Sequence, residues 1–188
     1  MSAADTIATS ALVVAVVALA FTIGSFWWLN ERSGKLQIVG EPRSYSFAAT
    51  DGLILNLPLV FTNARPGAAV AVNLRLRLDV PGFPSMVPFI ATHVGVKPEN
   101  ETRKMATSIV IQGRETRLVC CEFISRGFDV KVTGPTDIPV TVQAHVLSGW
   151  WRWRHPVWRS LMTFPLRLSA KAVQQRAQYL TYDNQESA

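Results

Sequence analysis

The chain has 188 residues, 48% of them hydrophobic, with a formal net charge of +6 and a pI of about 9.8. Once one apolar segment is set aside, about 150 residues remain, room for one domain with a real core and too few for two. The only cysteines, Cys120 and Cys121, are adjacent, which excludes a disulfide framework because strand neighbours point to opposite faces, and favours a reducing compartment.

Residues 7–29 contain no Asp, Glu, Lys or Arg. As a helix rising about 1.5 Å per residue, this run is long enough for a hydrocarbon core of about 30 Å. It ends in Trp27 and Trp28, which suit the headgroup boundary, and lacks the basic start and small residues of a cleaved leader. Residues 1–30 therefore read as a retained transmembrane anchor and 31–35 as a linker. Arg32, Lys35 and Arg43 follow the anchor, and no Lys or Arg precedes it. The positive-inside rule then predicts a single-pass protein of the cell membrane with its domain in the cytoplasm. Ala4, Ala8, Ala11, Ala15, Ala18, Thr22 and Ser25 are spaced alternately by four and three, forming one seam. Ala11, Ala15 and Ala18 are its candidate self-association residues, since small side chains let a second helix approach.

From Leu36 the period changes to that of strands. Leu36 and Ile38, then Tyr45 and Phe47, predict a first strand broken at residues 40–42. Leu53, Leu55, Leu57, Leu59 and Phe61 alternate in a second, where Pro58 argues for an edge or a bulge. A turn at 63–67 leads to Val70, Val72, Leu74, Leu76 and Leu78, interleaved with Ala71, Asn73, Arg75, Arg77 and Asp79. Further strands are expected at 89–96, 105–111, 116–123, 128–133, 138–146 and 161–168, with a tryptophan-rich connection at 148–160. Short turns and no helical pattern predict an antiparallel β-sandwich over 36–168, mainly β and immunoglobulin-like, with a closed barrel as the alternative. Residues 169–188 form a polar tail, a short helix behind Ser169 or a disordered end.

The helix ending in Trp27-Trp28 and the turn from Asn63 to Gly67 between alternating strands resemble bacterial single-pass membrane proteins carrying an N-terminal helix and an immunoglobulin-like domain. The resemblance implies a fold and no activity, since sandwiches host many roles.

No Gly-x-Ser-x-Gly, Gly-x-Gly-x-x-Gly or His-Glu-x-x-His motif occurs, and His93, His145 and His155 lie on separate segments. No cofactor or metal is called for. Glu122, inside an apolar strand, is the one acid of interest, and a solvent-facing position accounts for it. Residues 150–159 hold four of the six tryptophans. Their rings either cap the core or sit at a bilayer interface, where Trp is favoured and Arg pairs with phosphate. The candidate membrane-interface residues are Trp27, Trp28, Trp151, Arg152, Trp153, Arg154 and Arg159. If every strand reverses the last, the connections at 63–67, 97–104, 124–127 and 148–160 share the anchor-proximal end and make it basic against an acidic far end. The expectation is a non-enzymatic interaction module lying near anionic lipid, its partners the bilayer, a second copy through the anchor, or an unidentified protein. The alternatives are an exported domain, a tethered nucleic-acid binder, which is disfavoured for want of a module, and last an enzyme.

Overall fold

The computed structural model describes residues 3–28, 34–50, 52–95, 103–127, 130, 134–148 and 155–184. Helix α1 (Ala3–Phe26) is apolar and long enough to cross a membrane, and residues 4–26 bury nothing against the rest of the chain. Three of its hydroxyls bond to its own backbone: Thr9 donates to the Asp5 carbonyl at 2.8 Å, Ser10 to that of Ile7 at 2.9 Å and Thr22 to that of Ala18 at 2.8 Å, which satisfies them in an apolar surrounding.

The remainder is mainly β. The strands are β1 (Gln37–Ile38), β2 (Ser44–Ala48), β3 (Gly52–Asn63), β4 (Ala69–Leu78), β5 (Met86–His93), β6 (Lys104–Met105), β7 (Ile109–Ile111), β8 (Glu115–Arg126), β9 (Thr136–Ser148), β10 (His155–Leu168) and β11 (Leu180–Asp183), with a short helix α2 (Ala170–Gln174) before the last. They form one antiparallel sheet in the order β10-β9-β4-β5-β8-β3-β2-β11, to which β1 adds beside β3, β6 beside β5 and β7 beside β4. The sheet curls at β5. Residues Met86, Val87 and Pro88 pair with β4, while Phe89 and Ala91 to His93 pair with β8, across an irregularity between Phe89 and Ala91. The curl brings two inner faces together. Leu53, Leu55, Leu57, Leu59 and Phe61 of β3 meet Leu74, Leu76 and Leu78 of β4, Val140 and Val142 of β9, and Phe164 and Leu166 of β10, all buried. Each such side chain contributes about 1.5–3 kcal/mol by leaving water.

The ends of the curl meet through side chains. The Tyr45 hydroxyl of β2 donates to the Arg167 carbonyl of β10 at 2.6 Å. Just past β11, Asn184 accepts from the Arg167 N–H at 2.8 Å and donates to the carbonyls of Pro42 and Pro165 at 3.1 and 3.2 Å. Arg167 thus points its N–H away from β9, and Pro165, two residues earlier, faces the same way and has no donor to waste.

Several expectations need correction. Strand β3 is interior rather than an edge, with β8 along its whole length. Pro58 is tolerated because its missing N–H faces a gap. Val60 turns its carbonyl to the Val39 N–H at 2.9 Å, Pro58 shares that orientation, and opposite it the chain breaks between β1 and β2. In β4 the alternation changes phase at a bulge between Ala71 and Asn73, so Ala69 and Ala71 are buried while Val72 is 43% exposed. Met86 to Pro88, expected as loop, opens β5, and Pro156 to Ser160, expected as connection, belongs to β10. The single strand expected at 105–111 is two strands that run opposite ways, because the chain turns at 106–108 to leave β5 for β4. This extra reversal puts the 112–114 turn beside Arg65, whose carbonyl accepts the Arg114 N–H at 3.0 Å, at the end where the chain enters the domain. It sends Arg126 to the opposite end, level with Gly52. The strand expected at 128–133 lies outside the described residues except for Val130. Among the described residues the far end is therefore not acidic. It holds Asp79 and Asp137 but also Arg126, Arg167 and Lys171.

The tail holds a short helix and, beyond what was expected, a strand at Leu180–Asp183. Ser169 caps α2 by accepting from the Ala172 N–H at 3.2 Å, as its position predicts, but the helix stops after five residues. Leu180 and Tyr182 then alternate as a strand on β2, with Tyr182 buried against Tyr45 at a centroid distance of 5.7 Å.

Candidate functional site

The domain begins at a backbone knot centred on Asn63. This side chain is fully buried at the end of β3. Its Oδ1 accepts from the N–H groups of Lys35 at 3.0 Å and Arg65 at 3.2 Å, and its Nδ2 donates to the carbonyls of Gly67 at 2.7 Å and Gln112 at 3.0 Å. One amide thus ties the start of the domain at Lys35 to two turns. The glycines around it let backbones touch: a Cβ on Gly113 would lie 1.7 Å from the Pro66 oxygen, and one on Gly34 would lie 2.5 Å from the Gly67 oxygen. Lys35, Arg65 and Arg114 gather on this chain-entry end, and among the described residues Glu115 lies beside them, its carboxylate accepting the Gln112 N–H at 2.7 Å.

Deeper on the outer face of the sheet lies a buried polar cluster. The Glu122 Oε2 accepts from Arg103 Nε at 2.8 Å and from His93 Nε2 at 3.2 Å. Glu122 is 6% exposed, so the solvent-facing position expected for it is wrong. The His93 Nε2 faces the carboxylate, and its Nδ1 is buried and lacks a partner among the described residues. Asn56 donates to the Gly95 carbonyl at 3.4 Å, and the Cys120 Sγ lies 4.0 Å from that of Val94. Together these contacts hold the connection after β5 down over β8 and β3.

Burial pushes the Tyr179 phenol above its ordinary value, the Glu122 charge adds to this, and Arg103 partly offsets it. Burial also raises Tyr45 and both thiols, Cys121 further through the charge of Cys120. These groups are neutral acids whose folded pKa exceeds the unfolded one, so their stabilisation is whole below the ordinary Cys value of 9.0 and the Tyr value of 10.0 and is lost as pH rises past them. Thermal melts of the detergent-solubilised chain should accordingly show a midpoint that falls between about pH 8 and about pH 10.5. A flat profile would mean that these side chains reach water.

The residues singled out by the sequence fall in different places. Trp27 and Trp28 end the helical segment, each about half exposed, with ring centroids 6.5 Å apart. Trp151, Arg152, Trp153 and Arg154 lie outside the described residues, between strands β9 and β10, which end and start at the anchor-proximal side. Arg159 is exposed on β10 opposite Ala144. Trp158 is used within the domain: its ring stacks on His145 at 4.8 Å and 11°, and the Arg75 guanidinium carbon lies 3.9 Å from its centroid. Ala11, Ala15 and Ala18 are exposed on α1. No group of three His, Cys, Asp or Glu able to hold a metal occurs among the described residues.

No known protein family and no curated protein matches this chain. Its chemistry therefore has to be read from the clusters themselves. The Glu122 cluster was out of reach of sequence reasoning, because nothing in the spacing of His93, Arg103 and Glu122 announces a shared carboxylate. The Asn63 hub had a visible signal, a lone Asn closing an alternating strand before Arg65-Pro66-Gly67.

Proposed function

We propose that the chain is a non-enzymatic, single-pass membrane-anchored interaction module whose basic domain lies close to the anionic cytoplasmic leaflet of a bacterial cell membrane. In its finer form the reading takes the curled sheet as an immunoglobulin-like sandwich. The observation that carries it is α1, apolar, buried against nothing and followed nine residues after its end by a domain entry tied down at Lys35. An exported domain binding a partner outside the cytoplasm is the competing reading, and sidedness separates the two. A tag placed after Ala188 is expected to survive protease applied to intact cells and to be cut once they are opened. Cleavage in intact cells overturns the cytoplasmic assignment.

The exposed small-residue stripe favours an additional role for the anchor in self-association. Ala11→Leu, Ala15→Leu and Ala18→Leu together should lower cross-linked dimer yield in membranes, while Leu at Val13, Val16 and Val17 should leave it unchanged. Equal behaviour of the two sets removes the seam from the proposal.

A further inference from the structure

Along the outer face of β8, Glu122 and Cys120 are covered, and two residues nearer the anchor Leu118 opens to 59% exposure. Leu118 pairs with Val60, whose carbonyl accepts the Val39 N–H at 2.9 Å, and Val39 is 55% exposed. Residues opposite one another in an antiparallel pair share a face. Val39, Val60 and Leu118 therefore form one apolar row across three neighbouring chain segments. Beyond it, toward the anchor, Thr62 and Thr116 bond to each other at 3.0 Å, and then come the basic residues of the chain entry.

We propose that this row docks on the bilayer surface, with Val39 and Leu118 in the headgroup layer and Lys35 and Arg114 against anionic lipid headgroups. The inference rests on the single-pass reading and names the surface through which it acts. Six chain steps separate Trp28 from Gly34, so the domain's entry lies within about 20 Å of the aromatic end of α1. Exposed aliphatic side chains at that distance meet lipid continuously, whereas a soluble partner has to arrive by diffusion. The sign of the charge fits as well: among the described residues of the chain entry the basic Lys35, Arg65 and Arg114 outnumber Glu115. Each of them strengthens attraction to anionic lipid by about fivefold.

The test uses the full chain in lipid nanodiscs, one copy per disc, of phosphatidylcholine alone or mixed with phosphatidylserine. A fluorophore is attached at Leu118→Cys or, as a far-end control, at Ser85→Cys; the native cysteines are buried. Nitroxide-headgroup lipids should quench the probe at 118 and not at 85, in anionic discs and not in neutral ones, and salt should reverse it because screening shortens to about 3 Å at 1 M. Lys35→Ser and Arg114→Asn together should weaken the docked state by about 25-fold. Asn is chosen at 114 because φ there is 60°. Protein retained in the discs with equal quenching at both positions overturns the docking and leaves the anchor intact. Failure to remain in discs overturns the single-pass reading and the docking with it. Shielding at 118 only in discs loaded with two copies, without nitroxide quenching, assigns the row to a second copy and overturns the lipid assignment.

Discussion

Asn63→Ala should lower the stability of the domain by about 3–5 kcal/mol, the range for breaking a buried hydrogen-bond network. The substitution strands the N–H groups of Lys35 and Arg65 and the carbonyls of Gly67 and Gln112. Each fully buried orphan costs about 1–3 kcal/mol, and the total stays below their sum because water reaches the turns from outside. In a domain of this size the melting midpoint should drop by about 10 °C or more. Asn63→Asp should fall in between, since it keeps the acceptor for two N–H groups and loses both donors. Asn73→Ala is the contrast: its Oδ1 serves only the adjacent Leu74 N–H at 2.7 Å, at an exposed position, and the change should stay within about 0.5 kcal/mol. Circular-dichroism melts decide it. A midpoint for Asn63→Ala equal to that of Asn73→Ala would mean the two turns hold without the amide.

The second large effect is expected at Glu122. Glu122→Leu leaves His93 and Arg103 facing an apolar side chain, and breaking a buried pair from one side costs about 3–5 kcal/mol. The lower end applies here, because the Arg103 side chain is about one-third exposed and can turn to water, whereas that of His93 cannot. The double variant Glu122→Leu, His93→Leu should recover much of the loss, since a packed apolar pair is often as stable as a buried ionic one. The coupling read from the double-mutant cycle should be about 1–3 kcal/mol. Additive losses would show that the 3.2 Å contact carries no energy of its own.

The strands that could be read from sequence are those with one face in the core over many residues. Leu53 to Phe61 and Ile138 to Val146 gave their alternation because burial selects every second side chain. What escaped was local geometry that leaves no period. The bulge at Ala71 and Asn73 exchanges the faces of β4 without altering the apolar count, and the reversal at 106–108 hides inside a run that looks like one strand. Counting reversals fails at such a point, and so the charges of Arg114 and Arg126 were assigned to the wrong ends. Pro58 misled for a related reason: its effect depends on a gap in the neighbouring segment, which is a property of the partner. The buried cluster required three residues from three segments to converge on one carboxylate, and the chain's own spacing holds no trace of that.

Closure of the sheet by Asn184 also sets an order of events during synthesis. Ser46 and Thr181, whose hydroxyls lie 3.1 Å apart, are separated by 135 residues. The helix α1 leaves the ribosome first, and β2, its edge still bare, follows it. Only when residues 180–184 emerge can β11 cover that edge and the amide of Asn184 bridge to β10. Throughout translation, then, that strand stays unsealed, and long-range pairings of this kind are the slowest contacts a chain makes. Among the described residues delivered at that stage, the Asn184 carboxamide joins the two ends of the sheet.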